Sequence, residues 1–285
     1  MILCCGESLI DMLPRTASTG EPAFAPVAGG AVFNTAIALG RLGAPAGYFG
    51  GLSTDLFGAV LETALTASRV DFTLSVRSQR PTTLAFVTLT DGHAQYAFYD
   101  ENTAGRSLTE ADLPHLGDET EALFFGGISL VSEPAADTYA ALCAQAGERL
   151  VMMDPNIRPS FITDPERYRA RLAQMLARAD VVKISDEDMA WLGTTPAELI
   201  AGGAALVLET RGAAGVLAVG AGDTFNAGFL AGLWRDGLLS RASLRAAPLE
   251  ALQPAIALGA KAAAVTVSRA GANPPWDTEL AEDGQ

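Results

Sequence analysis

The sequence predicts an α/β fold: a doubly wound, mainly parallel sheet carrying a small β lid. Three observations carry the prediction. Short apolar runs recur along the 285 residues with helical stretches between them. These runs are continuous rather than alternating, as strands covered on both faces require. Two further stretches, residues 12–27 and 81–103, break the rhythm and read as additions to it.

In chain order, residues 1–5, 47–50, 122–125, 150–153, 181–184, 206–208 and 216–219 read as strands. Residues 32–42, 55–67, 135–147, 165–178, 224–234 and 249–267 read as helices. Such alternation builds a single doubly wound domain over residues 1–285. Cys4 and Cys5 in the first run would face opposite sides of a strand. Residues 12–27 are rich in Pro and Ala, with charges only at Arg15 and Glu21. Residues 83–89 and 94–99 are β-rich arms around Thr90-Asp91-Gly92-His93, and Asp-Gly there is a strong hairpin signal. On the second arm Tyr96 and Phe98 share one side. A lone hairpin is marginal, so it needs a surface to pack on, and a lid over an active site or a partner subunit would provide one.

Composition narrows the function. The net charge is −14, from 19 basic and 33 acidic residues, and only Lys183 and Lys261 are lysines. No basic run offers a footprint for nucleic acid or an anionic membrane. Three cysteines without metal spacing suit a reducing compartment. No signal peptide or membrane-spanning run is recognisable, so a cytoplasmic protein is expected.

The sharpest motif is Gly220-Ala221-Gly222-Asp223, followed by a charge-free stretch from Thr224 to Trp234. A helix lacking charge is buried nearly all round. Small residues before it let the backbone N–H groups of Ala221, Gly222 and Asp223 converge, at the positive end of the helix dipole. That arrangement suits the charge on a transferring phosphoryl group, beside which Asp223 could accept a hydroxyl proton. Alone, the motif equally allows Asp223 to be a helix cap. The third glycine of a dinucleotide fingerprint is misplaced, and no Gly-Lys-Ser/Thr occurs, which excludes a Walker-type loop.

Near the N-terminus, Gly6-Glu7-Ser8-Leu9-Ile10-Asp11 follows the first strand and puts Asp11 near its C-terminal end, where α/β sites form. Its carboxylate could accept bonds from vicinal hydroxyls. Gly29-Gly30 opens a helix in which Asn34 is a polar group needing a partner, either a ligand hydroxyl or nearby backbone.

With these residues in view, the chain resembles the ribokinase-like (PfkB) sugar kinase family over nearly its whole length, and its fructokinase branch in particular. The two signatures are Gly29-Gly30…Asn34 and Gly220-Ala221-Gly222-Asp223; Tyr99-Asp100-Glu101-Asn102 and Asp154-Pro155-Asn156-Ile157-Arg158-Pro159 add to them. The resemblance implies ATP-dependent phosphorylation of a small sugar, with Asp223 as base and Gly220, Ala221 and Gly222 forming the anion hole. It implies that Asp11, Gly29, Gly30, Asn34, Phe98 and Arg158 bind substrate. Lys183, Ser185, Thr210, Arg211, Gly212, Gly215 and Ala260 would bind the nucleotide, and Asp188 would contact Mg2+ through water. The resemblance also implies a homodimer formed through the lid. Fructose is the expected sugar. The alternatives are 2-keto-3-deoxygluconate, favoured if Arg158 faces the substrate, and a non-catalytic sugar-binding regulatory protein, against which Asp223 argues.

Two departures stand out. Lys183-Ile184-Ser185-Asp186-Glu187-Asp188 replaces the family's Asn-x-x-Glu motif with Ser185 and Asp188. Val219 also runs directly into Gly220, where the family has further strands and loop, so a segment of roughly two dozen residues is expected to be missing there.

Overall fold

A computed structural model describes residues 1–90, 93–210, 220–269 and 271–282. Its central sheet has six parallel strands in the order β12-β11-β10-β9-β1-β4. These are β1 (Ile2–Cys5), β4 (Ala46–Phe49), β9 (Ala122–Gly126), β10 (Leu150–Asp154), β11 (Val181–Ser185) and β12 (Leu206–Thr210). Strands β1, β4, β9 and β10 are buried throughout, which explains their unbroken apolar sequence. Successive side chains feed two cores. Ile2 and Cys4 join the core on one face, Leu3 and Cys5 the core on the other, as the period of a strand dictates.

The first core is closed by α1 (Ala31–Arg41), α2 (Leu56–Ala67), α7 (Ala221–Arg235) and α9 (Leu249–Val267). The second lies under α3 (Ala135–Ala144) and α4 (Pro165–Arg178). Four short helices have too few turns to announce themselves by periodicity: α5 (Asp186–Leu192), α6 (Pro196–Ala201), α8 (Arg241–Ala246) and α10 (Asp277–Glu282). Their signals are caps instead. Ser185 accepts from the Asp188 N–H at 3.0 Å, and Thr195 and Ser240 each form a capping box.

The lid is a second sheet, ordered β3-β2-β7-β8, of β2 (Leu9–Thr16), β3 (Pro22–Gly29), β7 (Leu84–Thr90) and β8 (His93–Tyr99). It starts at Leu9 and ends its first hairpin at Gly29, wider than residues 12–27. Prolines masked these strands, yet none breaks the ladder. Pro26 lies on the edge strand β3, and Pro14 lies beyond the Ile10–Met12 stretch paired with β7. Two short strands, β5 (Gly51–Ser53) and β6 (Val76–Ser78), pair in parallel beside the main sheet. The expected strand at 216–219 and the Val219 side of its join to Gly220 lie outside the described residues.

Candidate active site

A cavity of about 420 Å³ opens between the C-terminal edge of the main sheet and the lid. It brings together Asp11 from the lid, Gly30 and Asn34 from α1, and Gly220, Gly222 and Asp223 from α7. Asp11 belongs to β2 itself, not to the end of β1. A side chain on Gly29, opposite Leu9 in the ladder, would collide with the Asp11 carboxylate. Burial lifts Asp11 to a pKa of about 6.

Asp223 is not a cap. Helix α7 begins one turn earlier than the sequence suggests, and its N-cap is Gly220 at φ 85°, a left-handed conformation suited to glycine. Asp223 thus sits in the first turn and is 8% exposed as a residue. Asn34 Nδ2 donates to Asp223 Oδ2 at 3.0 Å, and Thr35 Oγ1 donates to the Asp223 carbonyl at 3.3 Å. Asn34 thus has the Asp223 carboxylate, not nearby backbone, as the partner of its amide nitrogen. Burial lifts the Asp223 pKa to about 7, with the Asn34 bond opposing it and the Asp154 charge adding to it. The first-turn N–H groups of Ala221, Gly222 and Asp223 have no acceptor one turn earlier within the helix. The cavity wall therefore carries a buried carboxylate beside a set of backbone donors suited to an anion.

Glu7 was not singled out from sequence, yet it organises the opposite wall. Its carboxylate accepts from the Ala31 N–H at 2.8 Å, at the start of α1, and from the Ser129 N–H at 3.2 Å. A side chain on Gly127, at φ 66°, would fall on it. Burial raises its pKa to about 7. Phe98 lines the cavity against Phe161, ring centroids 4.5 Å apart, so an aromatic pair joins lid to body. Arg158 lines the same side, with Nη1 donating to the Ile157 carbonyl at 3.0 Å. The signal that could have found Glu7 and Asp154 was an acid at the C-terminal end of a strand.

The expected nucleotide residues scatter. Lys183 lines the cavity. Ser185 is used to cap α5, Thr210 ends β12, and Ala260 is exposed on α9. Arg211, Gly212 and Gly215 lie outside the described residues. Asp188 is 5% exposed and accepts from the Ile157 N–H at 2.9 Å. Burial pushes its carboxyl above the ordinary range. Among the described residues no group of three or more His, Cys, Asp or Glu could hold a metal.

A parallel α/β sheet with a buried aspartate at a helix start facing a polar cleft is the architecture of a phosphoryl-transfer enzyme acting on a small polyhydroxylated molecule. Comparison makes the class specific: the chain belongs to the pfkB family of carbohydrate kinases, which it matches over residues 1–220 and 218–279. The two stretches meet and overlap at residues 218–220, which include the Val219–Gly220 join. The chain is 49% identical over 279 residues to a fructokinase of Rhizobium leguminosarum bv. trifolii, covering 89% of this chain and 86% of that one. It is 32% identical to the fructokinase of Salmonella typhimurium, covering 94% and 93%. The crystal structure of an ATP-bound fructokinase from Xylella fastidiosa superposes with a TM-score of 0.85 at 28% identity, covering 99% of this chain and 97% of that one. The protein is a sugar kinase.

Proposed function

We propose that the sugar is fructose and the phosphoryl donor ATP, with Asp223 as the base. The observation that carries this reading is the Asp223 carboxylate, buried at the anion-binding start of α7 and facing the cavity that Asp11 and Gly30 share. Asp11, Gly30 and Asn34 hold the sugar, Asn34 also orienting the base through its 3.0 Å bond. The sugar hydroxyl oxygen bonds to the γ-phosphorus as the bond from that phosphorus to the bridging oxygen breaks. The electron pair leaves with ADP, and the hydroxyl proton passes to Asp223. The donors of Ala221, Gly222 and Asp223 offset the charge on the transferring group.

Mg2+ supplies charge neutralisation on the donor phosphates when bound. Such an ion would be held chiefly by the phosphates and water, and Asp188, which is bonded to the Ile157 N–H and does not line the cavity, would contact it only through water. We assign the reaction to the cytoplasm, which the three buried free cysteines support. We also assign a second copy of the chain to the outer face of the lid. There Phe24 and Tyr99 are 42% and 63% exposed, and both stack edge-on against Phe86 at 5.0 and 5.4 Å.

A sugar acid such as 2-keto-3-deoxygluconate is the second reading, supported by Arg158 on the cavity wall. A coupled ADP-release assay over fructose, glucose, ribose, adenosine and 2-keto-3-deoxygluconate separates them. Highest kcat/KM on fructose is expected, and preference for the keto-deoxy acid would transfer the assignment to it. Asp223→Asn should lower kcat by about 10²- to 10⁴-fold with little change in sugar affinity. Unchanged turnover in that variant removes the base.

A further inference from the structure

The Glu7 carboxylate joins two segments that lie far apart in the chain. It accepts from the Ala31 N–H, 24 residues on, and from the Ser129 N–H, 122 residues on, one bond to each oxygen. The residue is 9% exposed, and a buried carboxylate is costly unless bonded. Its backbone is pinned as well: the buried hydroxyls of Tyr48 and Tyr139 donate to the Gly6 carbonyl at 2.8 and 3.1 Å. A helix cap serves donors a few residues away. Glu7 instead serves two distant elements and lines two spaces at once, the active-site cavity and a narrow polar chamber of about 20 Å³. Asp100, Arg106 and Ser132 also line that chamber.

On one side of Glu7 the bonds run to Asp223. Ala31 opens α1, and Thr35 Oγ1 donates to the Ala31 carbonyl at 3.0 Å and to the Asp223 carbonyl at 3.3 Å. Asn34 holds the Asp223 carboxylate from the same turn. On the other side the bonds run to the lid. Ser129 belongs to a single 3-10 turn, Gly127–Leu130, and the Ser132 N–H donates back to the Ile128 carbonyl of that turn at 3.1 Å. Ser132 Oγ then donates to Asp100 Oδ2 at 2.9 Å. Asp100 directly follows β8, and its Oδ1 accepts at 2.8 Å from Thr83 Oγ1, directly ahead of β7. Both stems of the lid hairpin thus end on one carboxylate. Strand β3 runs into α1 through the backbone at Gly30, and Glu7 gives the β7–β8 stem a separate route to the same helix.

We propose that Glu7 and Ser132 are positioning residues that tie the stem of the lid hairpin to the base, so that the lid and Asp223 take up their working positions together. The inference rests on the phosphoryl-transfer reading of Asp223. Transfer requires the acceptor hydroxyl, the base and the phosphorus to be aligned, so a small shift of α1 is felt at Asn34 and through it at Asp223. The bonds form a contiguous network, and coupling between its members is what a double-variant cycle measures.

The test is such a cycle on the full chain, with Glu7→Gln, Ser132→Ala and their combination, read with fructose and ATP at a pH above the acid limb. There the lost Glu7 charge, which raises the Asp223 pKa, does not enter. Glu7→Gln keeps an acceptor for one N–H group and sets an amide donor against the other. It should lower kcat about tenfold, the scale of one hydrogen bond to a charged group. KM for ATP should stay within about twofold of wild type, because neither residue bonds to α7 among the described residues. Ser132→Ala should lower kcat about threefold. Links in series are cut once, so the double variant should lose about tenfold, as Glu7→Gln does, whereas independent lesions multiply to about thirtyfold. A multiplicative double variant, an unchanged kcat in Glu7→Gln, or a loss confined to KM for ATP overturns the proposal. Should Glu7→Gln fail to fold, Ser132→Ala decides alone. A lowered kcat at the wild-type melting temperature upholds the link, and an unchanged kcat overturns it. A wild type active on fructose with a multiplicative cycle sinks only this inference, whereas a wild type inactive on every sugar sinks the reading of Asp223 beneath it.

Discussion

At the residue scale the site is governed by carboxylates that the fold keeps dry. Asp223 and Glu7 both reach pKa values of about 7, and burial is the first cause in each. A base must be ionised to work, so kcat/KM should fall tenfold per pH unit well below pH 7 and level off above it. A pH–rate profile whose acid limb lies near 4, the ordinary aspartate value, would show that the base is not retuned by burial. Stability carries the opposite sign. A carboxyl whose folded pKa is raised contributes stability that is complete below its unfolded value, 3.8 for Asp223. That contribution is lost as the pH climbs through about 7 and is constant above it. Asp223→Asn cannot ionise. The melting-temperature gap between this variant and the ligand-free wild type should therefore widen in the variant's favour from pH 4 to 7 and then stay flat. A gap independent of pH would contradict the burial of the charge.

At the element scale, α7 holds Asp223 in register because α9 packs close against it. A side chain on Gly228 would begin 2.6 Å from Gly259 Cα, and one on Gly232 would strike Ala255. The sequence showed these glycines one turn apart, and the contact they permit is the close approach of the two helices. Thr266 Oγ1 donates to Thr224 Oγ1 at 3.0 Å across this interface, one residue from Asp223. Gly228→Val should therefore push the helices apart and destabilise the fold by about 1–3 kcal/mol, with a fall in kcat because Asp223 and Asn226 move with α7. Ala257→Ser, on the exposed side of α9, is the control and should change neither. Thermal melts and steady-state rates of the two variants check this. A Gly228→Val enzyme of unchanged stability would mean that the helices tolerate separation.

At the scale of the whole molecule, the proposed association would act through the lid. Its inner face carries Asp11 and Phe98, and its outer face carries Phe24, Phe86 and Tyr99. The ladder pairs Leu84 with Tyr99 and Ala85 with Phe98, so alternate residues serve the two faces. If a second copy covers the outer face, the double variant Phe24→Glu/Tyr99→Lys should be monomeric by light scattering. Its KM for sugar should rise as the lid loses support, with Asp223 chemistry retained. A monomeric wild type would refute the lid-to-lid association.

The sequence by itself determined the class of fold, because parallel strands buried on both faces must be written as continuous apolar runs. It also placed Asp223 at the start of a buried helix behind small residues, because Gly220-Ala221-Gly222-Asp223 ahead of a charge-free stretch is local chemistry, readable in a short window. The pairing of Leu84–Thr90 with His93–Tyr99 in the lid was legible for the same reason. Only the tertiary structure decided what depends on distant chain segments meeting. Asn34 turned out to serve Asp223, 189 residues away. Glu7 became the bracket of α1 through bonds to Ala31 and Ser129. The pairing of Asp154 with Lys183 arises from strand adjacency across 29 residues. Strand order, burial and the desolvation that retunes each carboxylate are properties of that assembly, and no window of sequence contains them.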